Sequence, residues 1–293
     1  MCGRYSLSSP LAELVETFGV ESVVLRDYRP RYNIAPTQEA PVLVRGPSGG
    51  LRLGALFWGL PPSRVHASAR GNRVINARSE NAYRQRPFRE AFRFRRCLVP
   101  ADGFYEWRVT PADPVAASPL KQPYWVHRPD RRPVAFAGLW ERFSAPGGDE
   151  PFVSFAILTT VPSPSLAFLH DRMPALLPPE AWARWLDPLA EPEALRGLLA
   201  PAPEGLLEAC RCPRGSTVRR STIRPASRRC PRPIPRPRGD GRRQKTRNNS
   251  GRRGCIFDGR ILGRVLKPGP FAAQADSVDQ AAPEQPIPWD ART

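Results

Sequence analysis

Histidine is nearly missing from this chain: His66, His127 and His170 are the only three in 293 residues. That scarcity argues against a multi-histidine metal site, and neither a metal nor another cofactor is expected. No apolar run approaches the roughly eighteen residues that a membrane helix needs. The N-terminus also lacks a basic region followed by an apolar core, so no secretory signal is expected. Cysteine offers no disulfide framework. Cys2 and Cys97 lie early, whereas Cys210, Cys212, Cys230 and Cys255 lie late, at spacings that match no zinc pattern. A reducing, soluble, cytoplasmic setting fits these absences.

What is abundant is positive charge. The formal net charge is +18 and the isoelectric point is near 10.9, which points to a polyanionic partner, nucleic acid first. The charge is unevenly spread. Residues 201–293 hold 20 Lys and Arg against 8 Asp and Glu, a net of +12, which leaves +6 for residues 1–200. Residues 210–254 alternate Arg, Pro, Ser, Gly and Cys with few large apolar residues, too few to offset the entropy of ordering. A domain over residues 2–204 is therefore expected, followed by a basic, Pro- and Arg-rich tail over 205–293 that is expected to be disordered.

Within the domain, Ser9-Pro10 followed by Leu11, Leu14, Val15, Phe18 and Gly19 predicts a short capped amphipathic helix. A charged connection leads to a compact turn over 31–37. Residues 40–44 and 51–58 then predict a hairpin across a Pro-Ser-Gly-Gly turn. Residues 61–73 read as a mobile loop, and 84–95 as a short helix with one basic face and one apolar face carrying Phe88, Phe92 and Phe94. Strands follow at 97–99, 104–107, 124–127, 134–137 and 155–160, and two closing helices at 178–186 and 193–199. Strands at this spacing without long intervening helices predict an α+β fold: a single β-rich mixed domain with a curled, barrel-like antiparallel sheet and flanking helices.

The chemistry concentrates in a few polar residues. If Met1 is removed, which a small second residue permits, Cys2 becomes the first residue and its α-amine lies two carbons from its thiol. Reference pKa values of roughly 7.7–8.0 and about 8.5 leave part of each nucleophilic near neutrality. The natural target of such a pair is an aldehyde, which the amine converts to a Schiff base and the thiolate closes to a thiazolidine. Asn76 ends the apolar run of Val74-Ile75 and can orient an amine or carbonyl. Glu106 sits between Tyr105 and Trp107, where desolvation would raise its pKa into the range of a proton shuttle. His170 heads His170-Asp171-Arg172-Met173-Pro174 as a second acid or base. Each residue alone also fits a capped turn, a solvent-facing carboxylate or a satisfied histidine.

Six stretches occur in order: Met1-Cys2-Gly3-Arg4-Tyr5, Arg31-Tyr32-Asn33-Ile34-Ala35-Pro36, Phe57-Trp58-Gly59-Leu60, Asn76-Ala77-Arg78-Ser79-Glu80, the segment 96–107, and His170-Asp171-Arg172-Met173-Pro174. Together they resemble the SOS-response-associated peptidase family of abasic-site processing proteins, over about residues 2–190. The resemblance implies a monomer that binds single-stranded DNA and captures abasic sites as a DNA–protein cross-link, nucleoid-associated when on DNA. It implies catalytic roles for Cys2 (nucleophile), Asn76 (amine orientation), Glu106 (acid/base) and His170 (sugar opening). It also implies DNA contacts from Arg4, Asn33, Pro36, Arg78 and Arg172, the arginines pairing with phosphates. Trp58 reads equally as core. A thiol autopeptidase and a noncovalent basic nucleic-acid binder are the alternatives.

Two departures stand out. Where family members usually carry a tryptophan after Trp58-Gly59-Leu60, this chain has Arg64, in Pro61-Pro62-Ser63-Arg64. An aromatic stack is worth roughly 1–3 kcal/mol per base, so Arg64 would have to substitute by stacking or by a phosphate contact. The end from Cys210 onward does not resemble the family's closing β segment. Its composition is that of a GC-rich coding sequence read out of frame, so a frameshift in the gene or in its sequencing is expected near residues 205–212; if the tail is genuine, the domain is expected to lack its last strand.

Overall fold

The computed structural model describes residues 2–61, 73–110, 120–143 and 152–213. In chain order the strands are β1 (Tyr5–Leu7), β2 (Val20–Val23), β3 (Arg31–Ile34), β4 (Glu39–Arg45), β5 (Leu51–Trp58), β6 (Asn76–Arg78), β7 (Arg96–Ala101), β8 (Gly103–Thr110), β9 (Leu120–His127), β10 (Val134–Phe143), β11 (Phe152–Thr160), the two-residue β12 (Met173–Pro174) and β13 (Leu176–Leu177), and β14 (Glu208–Arg211). The helices are α1 (Leu11–Phe18), α2 (Ser79–Ala82), α3 (Arg86–Phe94), α4 (Pro179–Leu186) and α5 (Pro192–Leu195). None of these is long and apolar enough to cross a membrane.

Five strands close into a barrel. β5, β4, β7, β10 and β11 pair antiparallel in that order, and β11 returns to β5 in parallel register with Ser154 opposite Phe57 and Phe155 opposite Trp58. Closure removes the exposed edges that an open sheet of this size would leave. β2 and β6 extend it in parallel with β5 and β11, so the sheet is mixed. β7 is buried along its whole length. Its one charged residue, Arg96, donates to the Phe92 carbonyl at 2.6 Å and the Trp185 carbonyl at 2.5 Å, in the last turns of α3 and α4. Free carbonyls at helix C-termini favour a cation, so one buried guanidinium anchors two helix ends.

A second, fully antiparallel sheet runs β14-β9-β8-β1-β3. β1 lies inside it, with Tyr5 opposite both Phe104 of β8 and Ile34 of β3. Gly103 permits a close crossing of β8 and β9: a Cβ there would meet the Val126 carbonyl at 2.4 Å. The two sheets join through edge-on aromatic contacts, Tyr5 to Trp58 with centroids 5.2 Å apart and both Tyr5 and Phe104 to Phe136 at 6.1 Å. Such pairs contribute beyond the area they bury. Trp58 is core: it has no exposure, and its indole N–H donates to the Ile75 carbonyl at 3.0 Å.

The hairpin, the core strands and the closing helices stand where their patterning predicted, and five local expectations did not. α1 starts and stops at Pro10 and at Gly19, whose φ of 62° supplies the left-handed cap, but Ser9 does not cap it. The Ser9 hydroxyl donates instead to Asp102 Oδ1 at 2.8 Å, while the Ser8 hydroxyl and amide reach Oδ2 at 2.6 and 2.5 Å. Residues 31–34, expected as part of a turn, form β3 because β1 offers them a pairing partner, and the charged connection holds β2 for the same reason on β5. Phe94 is 55 % exposed and leaves the apolar face of α3 to Phe88 and Phe92. β14 lies past residue 204 and pairs along β9, with Cys210 opposite Trp125, so a closing strand is present. Residues 62–72 and 214–293, which include the expected loop and nearly all of the expected tail, lie outside the described residues.

Asp102 is buried and accepts three hydrogen bonds from the segment that joins β1 to α1. Asp102→Ala should lower unfolding free energy by about 2 kcal/mol or more, since hydrogen bonds to a charged group are among the strong ones and three donors lose their acceptor. Urea unfolding reads this directly. A loss below about 0.5 kcal/mol, the size of an ordinary surface substitution, would remove Asp102 as the anchor of the N-terminal strand.

Candidate functional site

Because β1 is an interior strand, the residues just ahead of it are carried into the junction of the two sheets. Cys2 has no exposure. Continuing the register of Tyr5 with Phe104, the Tyr105 amide donates to the Arg4 carbonyl at 2.9 Å, and Cys2 lies within electrostatic range of Glu106 of β8. From the barrel side, Asn76 of β6 donates through Nδ2 to the Cys2 carbonyl at 2.8 Å. Asn76 Oδ1 is buried with no hydrogen-bond partner among the described residues. β6 is fixed in turn by its parallel pairing with β11, Asn76 opposite Ile157.

Glu106 is only 4 % exposed, and its pKa is raised to about 7. Burial is the main cause, opposed by the positive chain terminus and by the Trp107 amide, with Asp171 adding to the rise. The burial does not come from its aromatic neighbours in sequence. Alternation along β8 turns Tyr105 and Trp107 to the other face, and the Tyr105 hydroxyl donates to the Tyr32 carbonyl at 2.9 Å. Glu106 instead shares its face with Phe104, which packs on Phe136 between the sheets. Burial also pushes the Cys2 thiol well up, with Glu106 the next cause, so at neutral pH Cys2 is held as a thiol.

His170 lies in the loop before β12 and is half-buried. Its Nδ1 accepts the Arg172 amide at 3.0 Å and stands 2.5 Å from Asp171 Oδ1. One nitrogen thus serves the amide when the ring is neutral and the carboxylate when it is protonated. Its pKa is lowered, chiefly by burial and then by the positive chain terminus, against the pull of Asp171. Asn76 and Glu106 thus meet at Cys2, and His170 stands beside Asp171, whose charge reaches Glu106.

The residues expected to contact DNA behave differently from one another. Arg4 donates to Asn33 Oδ1 at 3.1 Å, linking the N-terminal segment to β3. Pro36 is half-buried in a tight turn whose next residue, Thr37, is held at φ 71° with its amide on the Trp58 carbonyl at 2.8 Å. A β-branched residue with positive φ is strained, and such strain persists only where the surroundings hold it. Arg78 is exposed. Arg172 is not: it is buried and forked onto Glu80 at 2.6 and 2.9 Å, with the Thr159 carbonyl beside it. This ion pair holds the Glu80 carboxyl below the usual carboxylate range. Its guanidinium thus faces inward, and it fixes the loop that carries His170 instead of being presented as an exposed phosphate ligand. Arg64 lies outside the described residues. Glu80 and Asp171, which the sequence reading left without roles, sit inside motifs already conspicuous in the sequence.

Cys2, gripped through its carbonyl by Asn76 and close to the buried Glu106, thus lies in the interior of a β-barrel domain. The chain belongs to the SOS response associated peptidase (SRAP) family, whose model matches residues 1–215. Abasic site processing protein YoqW of Bacillus subtilis is 35% identical over 211 residues, 71% of this chain and 91% of that protein. Abasic site processing protein YedK of Escherichia coli is 32% identical over 196 residues, 64% of this chain and 79% of that one. A crystal structure of a protein from Bacteroides thetaiotaomicron shares the fold, with a TM-score of 0.65 at 24% identity over 73% of this chain and 94% of that one.

The buried carboxylate gives a signed pH effect. A pKa raised from 4.5 to about 7 on folding means that the folded state holds the Glu106 proton more tightly than the unfolded state does. The associated stability is fully present below about pH 4.5 and is lost as pH rises through about 7. Glu106→Gln should therefore gain stability relative to the parent between pH 5 and pH 8. Urea unfolding at those two pH values checks it; an unchanged difference between parent and variant would mean that Glu106 titrates normally.

Proposed function

We propose that this protein binds single-stranded DNA and captures abasic sites covalently, as a thiazolidine at Cys2 formed after Met1 leaves. The observation that carries the reading is the grip of Asn76 on the Cys2 carbonyl at 2.8 Å, beside a carboxyl whose pKa lies at about 7. The names of its relatives, which process abasic sites, support the same substrate.

While Met1 is attached, the Cys2 nitrogen is an amide and cannot attack. Its removal frees a primary amine next to Asn76, whose unpartnered Oδ1 suits an N–H donor. The ring-opened deoxyribose of an abasic site presents an aldehyde. The amine adds to that carbon to give a carbinolamine; loss of water leaves an imine; the Cys2 sulfur then adds to the imine carbon. In balance, amine, thiol and aldehyde become thiazolidine and one water. Since burial keeps Cys2 as a thiol, its proton must be taken as the sulfur adds, and Glu106 in its ionised form is the base at hand. Protonated Glu106 serves the earlier loss of water. A pKa near operating pH suits one group to both transfers. His170 assists sugar opening from the loop that the Arg172–Glu80 pair fixes.

Arg4, Asn33, Pro36 and Arg78 border this site as the DNA-facing set, with Arg78 free in solvent to pair with phosphate. A thiol-peptidase reading fits less well, because a resting thiolate is what burial of Cys2 opposes.

Incubation with an oligonucleotide treated with uracil glycosylase should give a denaturation-resistant adduct that Cys2→Ala abolishes. Glu106→Gln should slow its formation by about 10²–10⁴-fold, the usual worth of acid–base catalysis. Adduct formation at equal rate in Cys2→Ala would refute the assignment. The rate should also rise with pH through about 7, as Glu106 becomes able to accept the thiol proton. A rate that falls across that window in single-turnover measurements would show that ionised Glu106 is not the base.

A further inference from the structure

Away from Cys2, the last strand brings three metal-ligating side chains to one face of the five-stranded sheet. Glu208 lies opposite His127, and Cys210, two residues on, points to the same side. His127 Nε2 stands 3.4 Å from Cys210 Sγ and 3.5 Å from Glu208 Oε1. All three ligand atoms lie within 4.8 Å of one another.

The histidine is prepared for ligation in a specific way. Its Nδ1 lies 2.7 Å from the Arg128 carbonyl, which can only accept, so Nδ1 carries the proton. Nε2 is then left with a lone pair aimed at the thiol and the carboxylate, the arrangement that outer hydrogen bonds impose on metal-bound imidazoles. The ring has no exposure and is backed by Trp125, with centroids 4.0 Å apart, so it is held in place.

We propose that His127, Glu208 and Cys210 form a zinc-class metal site that staples β14 to β9. Zinc bonds of about 2.0–2.1 Å to nitrogen and oxygen and about 2.3 Å to sulfur, set tetrahedrally, separate neighbouring ligand atoms by about 3.3–3.6 Å. The two separations from Nε2 already match. Glu208 is 41% exposed and can turn to bring its oxygen closer to the sulfur. One nitrogen, one thiolate and one carboxylate suit a borderline-soft divalent ion rather than magnesium or calcium. Binding takes up the ion with release of the Cys210 thiol proton, and water completes the fourth position. The spacing of ligands in the sequence gives no hint of this, because His127 and Cys210 are 83 residues apart and meet only through strand pairing.

The test is titration of the full-length protein with Co²⁺ as a spectroscopic probe, followed by displacement with Zn²⁺. One equivalent should give visible bands of tetrahedral cobalt with a near-ultraviolet thiolate band, and Zn²⁺ should raise the melting temperature by about 2–8 °C. Cys210→Ser should remove the thiolate band. Glu208→Gln, at a partly exposed position that folding tolerates, should weaken cobalt binding by at least about tenfold. Cys2→Ala should leave the bands intact, so the result is independent of cross-linking at the N-terminus. Absence of the bands in the parent protein, or their persistence in Cys210→Ser, overturns the assignment.

Discussion

Placement of β1 as an interior strand is the constraint on which the site depends. Hydrogen bonded to β3 on one side and β8 on the other, it leaves Gly3 and Arg4 as the only slack between Cys2 and a fixed backbone. Asp102 ties down the other end of the strand through Ser8 and Ser9. A chain terminus ordinarily frays, because few contacts hold it. Here Cys2, three residues ahead of β1, is buried and held through its carbonyl, the position that the proposed capture asks of a group acting through its freed α-amine. Orientation fixed in advance would remove much of the entropic barrier to that proposed bimolecular step.

The same placement sets the electrostatics. Burying Cys2 and Glu106 costs both of them solvation, and the Glu106 carboxylate further raises the Cys2 thiol while Asp171 adds to the rise at Glu106. The outcome is a thiol and a carboxyl that titrates near neutrality. In the proposed reaction the two act as a pair, the carboxylate taking the thiol proton as the sulfur adds. Burial lowers the pKa of His170, while Arg172, pinned by Glu80, fixes its loop. Burial thus shifts Cys2, Glu106 and His170 toward their neutral forms, and Arg78, at the end of β6, is exposed.

Much of this was legible in the sequence. The alternation and turn chemistry of residues 40–58 specify their hairpin, and the apolar runs at 97–99, 134–137 and 155–160 specify core strands, because local pattern and burial agree there. Residues that act through long-range partners were not legible. β2 and β3 carry too few apolar residues to announce a strand and exist because β5 and β1 offer pairing edges. Ser9 resembles a helix cap until Asp102, 93 residues away, competes for its hydroxyl. The burial of Glu106 was anticipated from Tyr105 and Trp107, yet it arises from the opposite face of β8, a distinction that composition cannot make. Arg172 resembled a phosphate ligand for want of any signal that Glu80 would meet it.

Peptide mapping of the protein cross-linked to an abasic oligonucleotide tests the central claim most directly. Tryptic cleavage after Arg4 releases Cys2-Gly3-Arg4, and its mass reports the state of Met1, the attachment point and the water lost together. The expected species lacks Met1, carries the deoxyribose on Cys2 and has lost one water relative to its components. A fully processed protein whose adduct maps to any other residue, or that forms no adduct on single-stranded abasic DNA, would contradict it.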